Sequence, residues 1–467
     1  MKRFSESIRR SDWLQVTVTA LIMPGLVLLP GVMRGNPSGG VVVNGAVDIG
    51  DGLGGHLMIN QGSDKAIINW QDFSIGVGEL TQFVQPGSGS STLNRVVSGN
   101  PSAIQGALQA NGKIFVINPN GIMVGPNGSI DVAGLVLSTL DVSDADYLAG
   151  GDMVFRGNSS AGVSNFGRIN AIGGDVFLLG KSVTNGGAIT ASGTVGLAAG
   201  EEVLITATPD ANGERVFVKP VGSGGVSNGV TNTGSIQGSA VELKAHGNLY
   251  ALAINNSGSI RATGASASGG RVYLKAPGGR VDNSGSIAAS LPGGNGGKIL
   301  IEGAIVNAGG RIDASATSQQ GVGGEVTLLG EEITVPNGAV IAADGATGGS
   351  VKIGGGAGET QAKTISIGSG ASVSANGSAG AGGRVAITGG LESAVNVGGN
   401  VSATGADGFS GGMVTVNGAN VGLDAGSVVD ASGGSGGGEV FLGGGIQGKD
   451  ETLTNSTSTV VEKGAII

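Results

Sequence analysis

The chain contains no cysteine. Disulfides and thiolate metal sites are therefore excluded, and stability has to come from packing and backbone hydrogen bonds. The absence of thiols also suits passage through an oxidising periplasm. Aromatic residues make up only 3% of the 467 residues and charged residues 13%. The net charge of −9 is scattered and no basic stripe is present, so no nucleic-acid partner is expected. Twelve prolines and irregular glycine spacing exclude a collagen helix. What remains is unusual. Glycine contributes 96 residues, about three times its ordinary share. Hydrophobic residues still reach 39%. Disordered chains are rich in charge and poor in β-branched residues, the reverse of this pattern.

At the N-terminus, Lys2, Arg3, Arg9 and Arg10 precede an apolar run over residues 13–31. A basic segment before an apolar one reads as a secretory signal peptide, assigned to residues 1–36. The alternative is a membrane anchor. The run sits near the lower length limit for spanning and is broken by Pro24-Gly25, which favours the signal.

From about residue 165 the sequence repeats. Two glycines, a variable residue and a short alternating strand recur in GGDVFLLG (173–180), GGRVYLKAPG (269–278), GGKILIEG (296–303) and GGEVTLLG (323–330). The unit returns in GGSVKIGG (348–355), GGRVAITG (382–389), GGMVTVNG (411–418) and GGEVFLGG (437–444). Its first strand positions, Val272, Ile299, Val326, Val351, Val385, Val414 and Val440, lie 25–34 residues apart. A second unit, Asn-x-Gly-x-Ile, starts at Asn165, Asn185, Asn232, Asn256 and Asn283, with drifted copies from Asn307, Asn337 and Gly426.

Short strands with this period indicate a solenoid, and so much glycine excludes a helical one. The expected fold is all-β, a parallel β-helix whose coils bury their apolar faces jointly. Glycine and asparagine are expected at corners for left-handed φ, and asparagines in register can form ladders. In RVYLKA, Val272 and Leu274 should point inward, and Arg271, Tyr273 and Lys275 toward solvent. The segment 203–220 reads as an antiparallel hairpin projecting from the helix around PDANGE. The C-terminal GAII opens a strand that the chain does not continue, so a truncated solenoid is expected.

Catalytic patterns are decoys. G-x-S-x-G occurs at 225–229, 408–412 and 433–437, but without the strand-turn-helix context of a nucleophile elbow. His56 and His246 are the only histidines. The glycine-rich stretch 352–360 lacks the Lys-Ser/Thr ending of a phosphate loop. Asp313, Asp344 and Asp430 occupy matching repeat positions and could serve a β-helical polysaccharide enzyme. The reading as corner residues in a stack is favoured. No enzyme activity, cofactor or metal is expected.

Residues 56–140 do not repeat. They hold INWQDFSIG (68–76), FVQPGSGSSTLNRVVSGNPSAIQGALQANGKIFVINPNGIMVG (83–125) and, just after, VAGLVLSTLDVSDADYLAG (132–150). In this order the segments resemble the N-terminal secretion domain of two-partner-secretion exoproteins of the filamentous-haemagglutinin type. The Asn-Pro-Asn-Gly-Ile at 118–122, with no Asn-Pro-Asn-Leu element, places the resemblance in the high-molecular-weight adhesin subgroup. It implies a right-handed β-helix with small extra-helical hairpins. It also implies export through the Sec translocon and then an outer-membrane β-barrel transporter with periplasmic POTRA domains, ending outside the cell or on its surface. A host-cell or glycan receptor would follow for an adhesin.

The resemblance gives residues 37–200 as the secretion domain and 201–467 as β-helical repeats. Its candidate recognition residues are Asn118, Pro119, Asn120, Gly121 and Ile122, with Asn69, Trp70, Phe73, Asn94 and Arg95. For Trp70, Phe73 and Phe83, capping or filling the first coils is favoured over partner contact. Asn94-Arg95 suits either a buried corner or the transporter. A carbohydrate-active enzyme and the carrier stalk of a contact-dependent toxin are the alternatives.

Overall fold

A computed structural model describes residues 35–219, 229–246, 252–264, 269–355, 361–450, 453 and 455–467. Nearly all of the expected signal peptide, most of the 225–229 motif and the end of the 352–360 stretch lie outside these residues. Among the described residues no helix is long and apolar enough to cross a membrane.

The chain winds as a parallel β-helix with three faces. Residues 113–132 make one turn of it. Lys113–Ile117 lies on the first face, Ile122–Val124 on the second and Ser129–Val132 on the third. The corners fall at 118–121 and 125–128, as the two Pro-containing turns require. From Lys65 onward the strands of the coil pair in parallel with their counterparts one turn before or after. Gly134–Ser138, for example, pairs with both Lys113–Ile117 and Val176–Gly180.

In-register pairing turns the repeat into columns. Val272, Ile299, Val326, Val351, Val385, Val414 and Val440 are successive rungs of one inward column. The isoleucines of the second unit, Ile169, Ile189, Ile236, Ile260, Ile287, Ile312 and Ile341, form another on the third face. Every member of the second column is buried, and so is every member of the first except Val440, at its end. Each such side chain contributes about 1.5–3 kcal/mol.

The repeated asparagines stack as a ladder inside the second face. Asn165 donates through Nδ2 to Oδ1 of Asn185 (2.8 Å), Asn185 to Asn232 (2.8 Å), Asn232 to Asn256 (2.7 Å) and Asn256 to Asn283 (2.6 Å). All five are buried. The drifted copy does not extend the ladder. Ala308, not Asn307, is in register with Asn283, whose amide donates to Gly309 O instead.

Corner geometry departs from expectation in its cause. None of the ladder asparagines has positive φ, nor have Gly187, Gly234, Gly258 or Gly285. These glycines are required for space. A Cβ on each of the four would stand 2.0–2.1 Å from the carbonyl oxygen of the glycine one turn earlier.

The hairpin also differs. Glu202–Ile205 and Val216–Val218 do pair antiparallel, but they do not project. Met153–Arg156 joins them as a third antiparallel strand. The sheet lies flat on the outside of the first face. Phe155, Val203, Ile205 and Val216 pack there with Phe115, Val136 and Phe177 in a second apolar core. Tyr273, expected in solvent, is buried beneath the hairpin and donates to Asn212 O (2.6 Å). Among the described residues one short α-helix, Asp144–Ala149, interrupts the all-β pattern, with Ser143 as N-cap.

The ladder sets register at a cost that can be measured. Asn232→Ala leaves a donor on Asn185 and an acceptor on Asn256 unpaired in the interior, at about 1–3 kcal/mol for each group. A lower urea midpoint with unchanged circular dichroism of the native state is the expected result. An unchanged midpoint means the ladder adds nothing.

Candidate functional site

The ten candidate residues lie along the edge where the first face turns into the second, but they do not form one surface. Trp70, Phe73 and Asn94 are interior. The rings of Trp70 and Phe73 meet edge-to-face at 5.8 Å. Trp70 donates through Nε1 to Asn94 Oδ1 (2.9 Å), and Asn94 in turn donates to Phe115 O (3.2 Å). Phe83 is buried as well. These aromatics therefore fill the first turns, one of the two readings open from the sequence.

Asn69 and Arg95 are neighbours in register on the outer side of the same strands. Arg95 reaches Asp141 (3.0 Å), Asp144 (2.9 Å) and the carbonyl of Val142 (3.0 Å). It thus anchors the start of the helix Asp144–Ala149. Lys65 holds the other end through the carbonyls of Tyr147 and Leu148. Such pairs are half-exposed and individually modest. Between them Tyr147 is buried against Phe115 and shares a 2.7 Å hydrogen bond with Ser91 Oγ.

The Asn-Pro-Asn-Gly corner separates into two kinds of residue. Asn118 is fully buried and binds in every direction. Its Nδ2 donates to Asn100 O and Ser102 Oγ, both at 2.9 Å. Its Oδ1 accepts from the Asn120 amide (2.9 Å), and its own N–H donates to Ser138 O (2.9 Å). The side chain therefore ties the corners of two consecutive turns, and the backbone N–H adds the third. Ile122 is interior, and Gly121 takes φ +110°, which other residues rarely adopt. Pro119 and Asn120 face outward. Asn120 Nδ2 donates to Ser98 O (2.8 Å).

The match to known proteins follows this region. The signature of the TPS secretion domain covers residues 34–289. The chain belongs to the TPS secretion domain family. It is thus an exoprotein of the two-partner secretion type. Two heme/hemopexin-binding proteins of Haemophilus influenzae are similar over short stretches. One is 44% identical over 100 residues, covering 21% of this chain and 11% of that protein. The other, from strain ATCC 51907 / DSM 11121 / KW20 / Rd, is 39% identical over 109 residues, covering 23% and 12%. The aligned stretch spans only about a ninth of the length of these relatives. The crystal structure of the HMW1 secretion domain from Haemophilus influenzae superposes with a TM-score of 0.58 at 24% identity. It covers 91% of this chain and all of that one. That likeness establishes a shared TPS β-helical fold.

Sequence reasoning missed Asp141, Asp144 and Tyr147 as the partners that fix this edge. The Ser-Asp-Ala-Asp helix start was a visible signal. Burial pushes the Tyr147 phenol up to about 12, partly opposed by its hydrogen bond to Ser91. Burial likewise pushes Tyr273 up to about 12. Both phenols exceed the value of about 10 for an unfolded tyrosine. Their neutral forms therefore stabilise the fold in full below pH ~10, and this stability is lost as pH rises from about 10 to 12. Denaturation midpoints measured across that window should fall, and Tyr147→Phe should reduce the fall. A midpoint that stays flat to pH ~12 contradicts this.

Proposed function

We propose that the chain is exported across the outer membrane by a dedicated β-barrel transporter with POTRA domains, after Sec-dependent transfer to the periplasm. In this reading its secretion motif works through the fold, at Asn118, and not through contact at Asn120. The supporting observation is the separation just described: Asn118 joins three turns from the interior, while Asn120 makes a single corner contact to Ser98 O beyond its own turn. The exported β-helix serves as an adhesin presenting repeats 201–467, and it is not an enzyme. Consistent with that, Asp313, Asp344 and Asp430 are engaged in holding turns. They accept from the amides of Ser315, Asn376 and Ser432.

The relatives' names support a second reading, capture of heme or hemopexin. Secreted protein immobilised on a surface separates the two. Attachment of epithelial cells without retention of hemopexin supports the adhesin, and the opposite result replaces it.

The export claim is tested by single substitutions in cells carrying the cognate transporter. Asn118→Ala, which strands several buried groups, should cost about 1–3 kcal/mol and leave most of the protein in the periplasm. Asn120→Ala should cost under ~1 kcal/mol and appear in the medium near the parental level. Retention of a stable Asn120→Ala protein in the periplasm would indicate direct recognition. Normal secretion of both variants removes the motif from export altogether.

A further inference from the structure

The tip of the flat-lying hairpin is held by buried charges. Glu214 is buried, and its carboxylate is clamped between Lys244 Nζ and Lys275 Nζ (3.1 Å to the latter). Glu242 is fully buried and accepts the backbone amides of Arg215 (2.8 Å) and Val216 (3.1 Å). Lys244 Nζ stands 5.3 Å from the centre of the Tyr273 ring, and Tyr273 donates to the hairpin backbone at Asn212. Lys275 also reaches Glu302 (3.5 Å). Burial raises the Glu242 carboxyl and lowers the Lys244 ammonium against the opposing pull of their partners. Glu214, Glu242 and Lys244 thus balance one another in the interior, with Lys275 and Glu302 at its edge.

The order of these groups along the chain matters. The hairpin directly follows the strand Thr194–Ala199, and Val216 packs over Gly196 of that strand. Yet every polar partner of residues 212, 214 and 216 just named comes from 26–61 residues downstream. Until strands 240–245 and 271–276 are in place, the Glu214 carboxylate and the Arg215 and Val216 amides lack these partners, whereas the Arg215 guanidinium can already reach Thr206 O (2.8 Å) and Asp175 (2.6 Å). Burying them before that would strand a charge and two donors.

We propose that the hairpin 202–218 is a clasp that closes only when strands 240–245 and 271–276 have been added. The first half of the β-helix is then completed from a point some sixty residues beyond the hairpin itself. The extent of the TPS signature fits this independently. It ends at residue 289, one strand after the segment Arg271–Asn283 that supplies Tyr273 and Lys275.

Pulsed hydrogen exchange during refolding of the full chain tests the order. Amides of 216–218 should gain protection together with 271–276, after 176–180 and 194–199. Protection of 216–218 in step with 194–199, ahead of 240–245, overturns the clasp. Native-state exchange gives a second readout that needs no refolding. In Lys275→Met and Glu214→Gln, the Arg215 and Val216 amides should exchange at least tenfold faster, with residues 340–430 unchanged. Unchanged exchange at 215–216 in both variants also overturns it.

Discussion

The structure depends on parallel, in-register stacking of successive turns at a spacing of ~4.7–4.9 Å. Each position meets its equivalent one turn away, so a residue that recurs along a column must be able to sit beside its own kind. Isoleucine passes this test through apolar contact. Asparagine passes because its amide donates from one side and accepts on the other. Glycine passes where the corner backbones approach too closely for a side chain. The low content of aromatics and charges follows from the same constraint. Large rings take up too much room in a narrow coil, and like charges in a column repel.

The buried aromatic residues therefore gather where the stacking is interrupted or covered. Trp70 and Phe73 lie in the earliest turns, where antiparallel strands close the coil. Val41–Asn44 pairs with Lys65–Trp70, and Val47–Ile49 with His56–Gln61. Phe115, Phe177, Tyr147 and Tyr273 lie on the outside of the first face, under the short helix and the three-stranded sheet. The TPS half of the chain is thus a β-helix carrying a second core on its flank. The later turns have only the first core among their described residues.

This difference explains what the sequence could convey. Period and alternation report whether a side chain points into or out of a coil, and they placed Val272 through Val440 and the Asn-x-Gly-x-Ile columns correctly. They say nothing about what lies over the outer surface. Glu242, Lys244 and Tyr273 alternate as solvent-facing residues should, and are buried only because a hairpin more than twenty residues earlier folds back over them. The antiparallel pairing of that hairpin was legible from its turn. Its direction was not, because direction depends on the distant strands on which it rests. Within Asn-Pro-Asn-Gly the two asparagines look equivalent in sequence. The neighbouring corners at Asn100 and Ser138 draw Asn118 into the interior and leave Asn120 outside.

A single turn of such a solenoid cannot bury its own apolar face, so a chain arriving end-first needs a surface to build on. The antiparallel strands at 41–49 and the Trp70–Phe73–Asn94 cluster supply one, because they complete an interior with side chains that need no earlier turn. Asn118 then locks the corners of the next turns, and the asparagine ladder begins only afterward, at Asn165. Large aromatics thus come first, a single multidentate asparagine next, and self-pairing residues last. That order runs from features that can hold a fold alone to features that only extend one. It puts the most irregular and most family-specific part of the sequence in turns that carry their own interior, where the proposed role of Asn118 is to hold the fold.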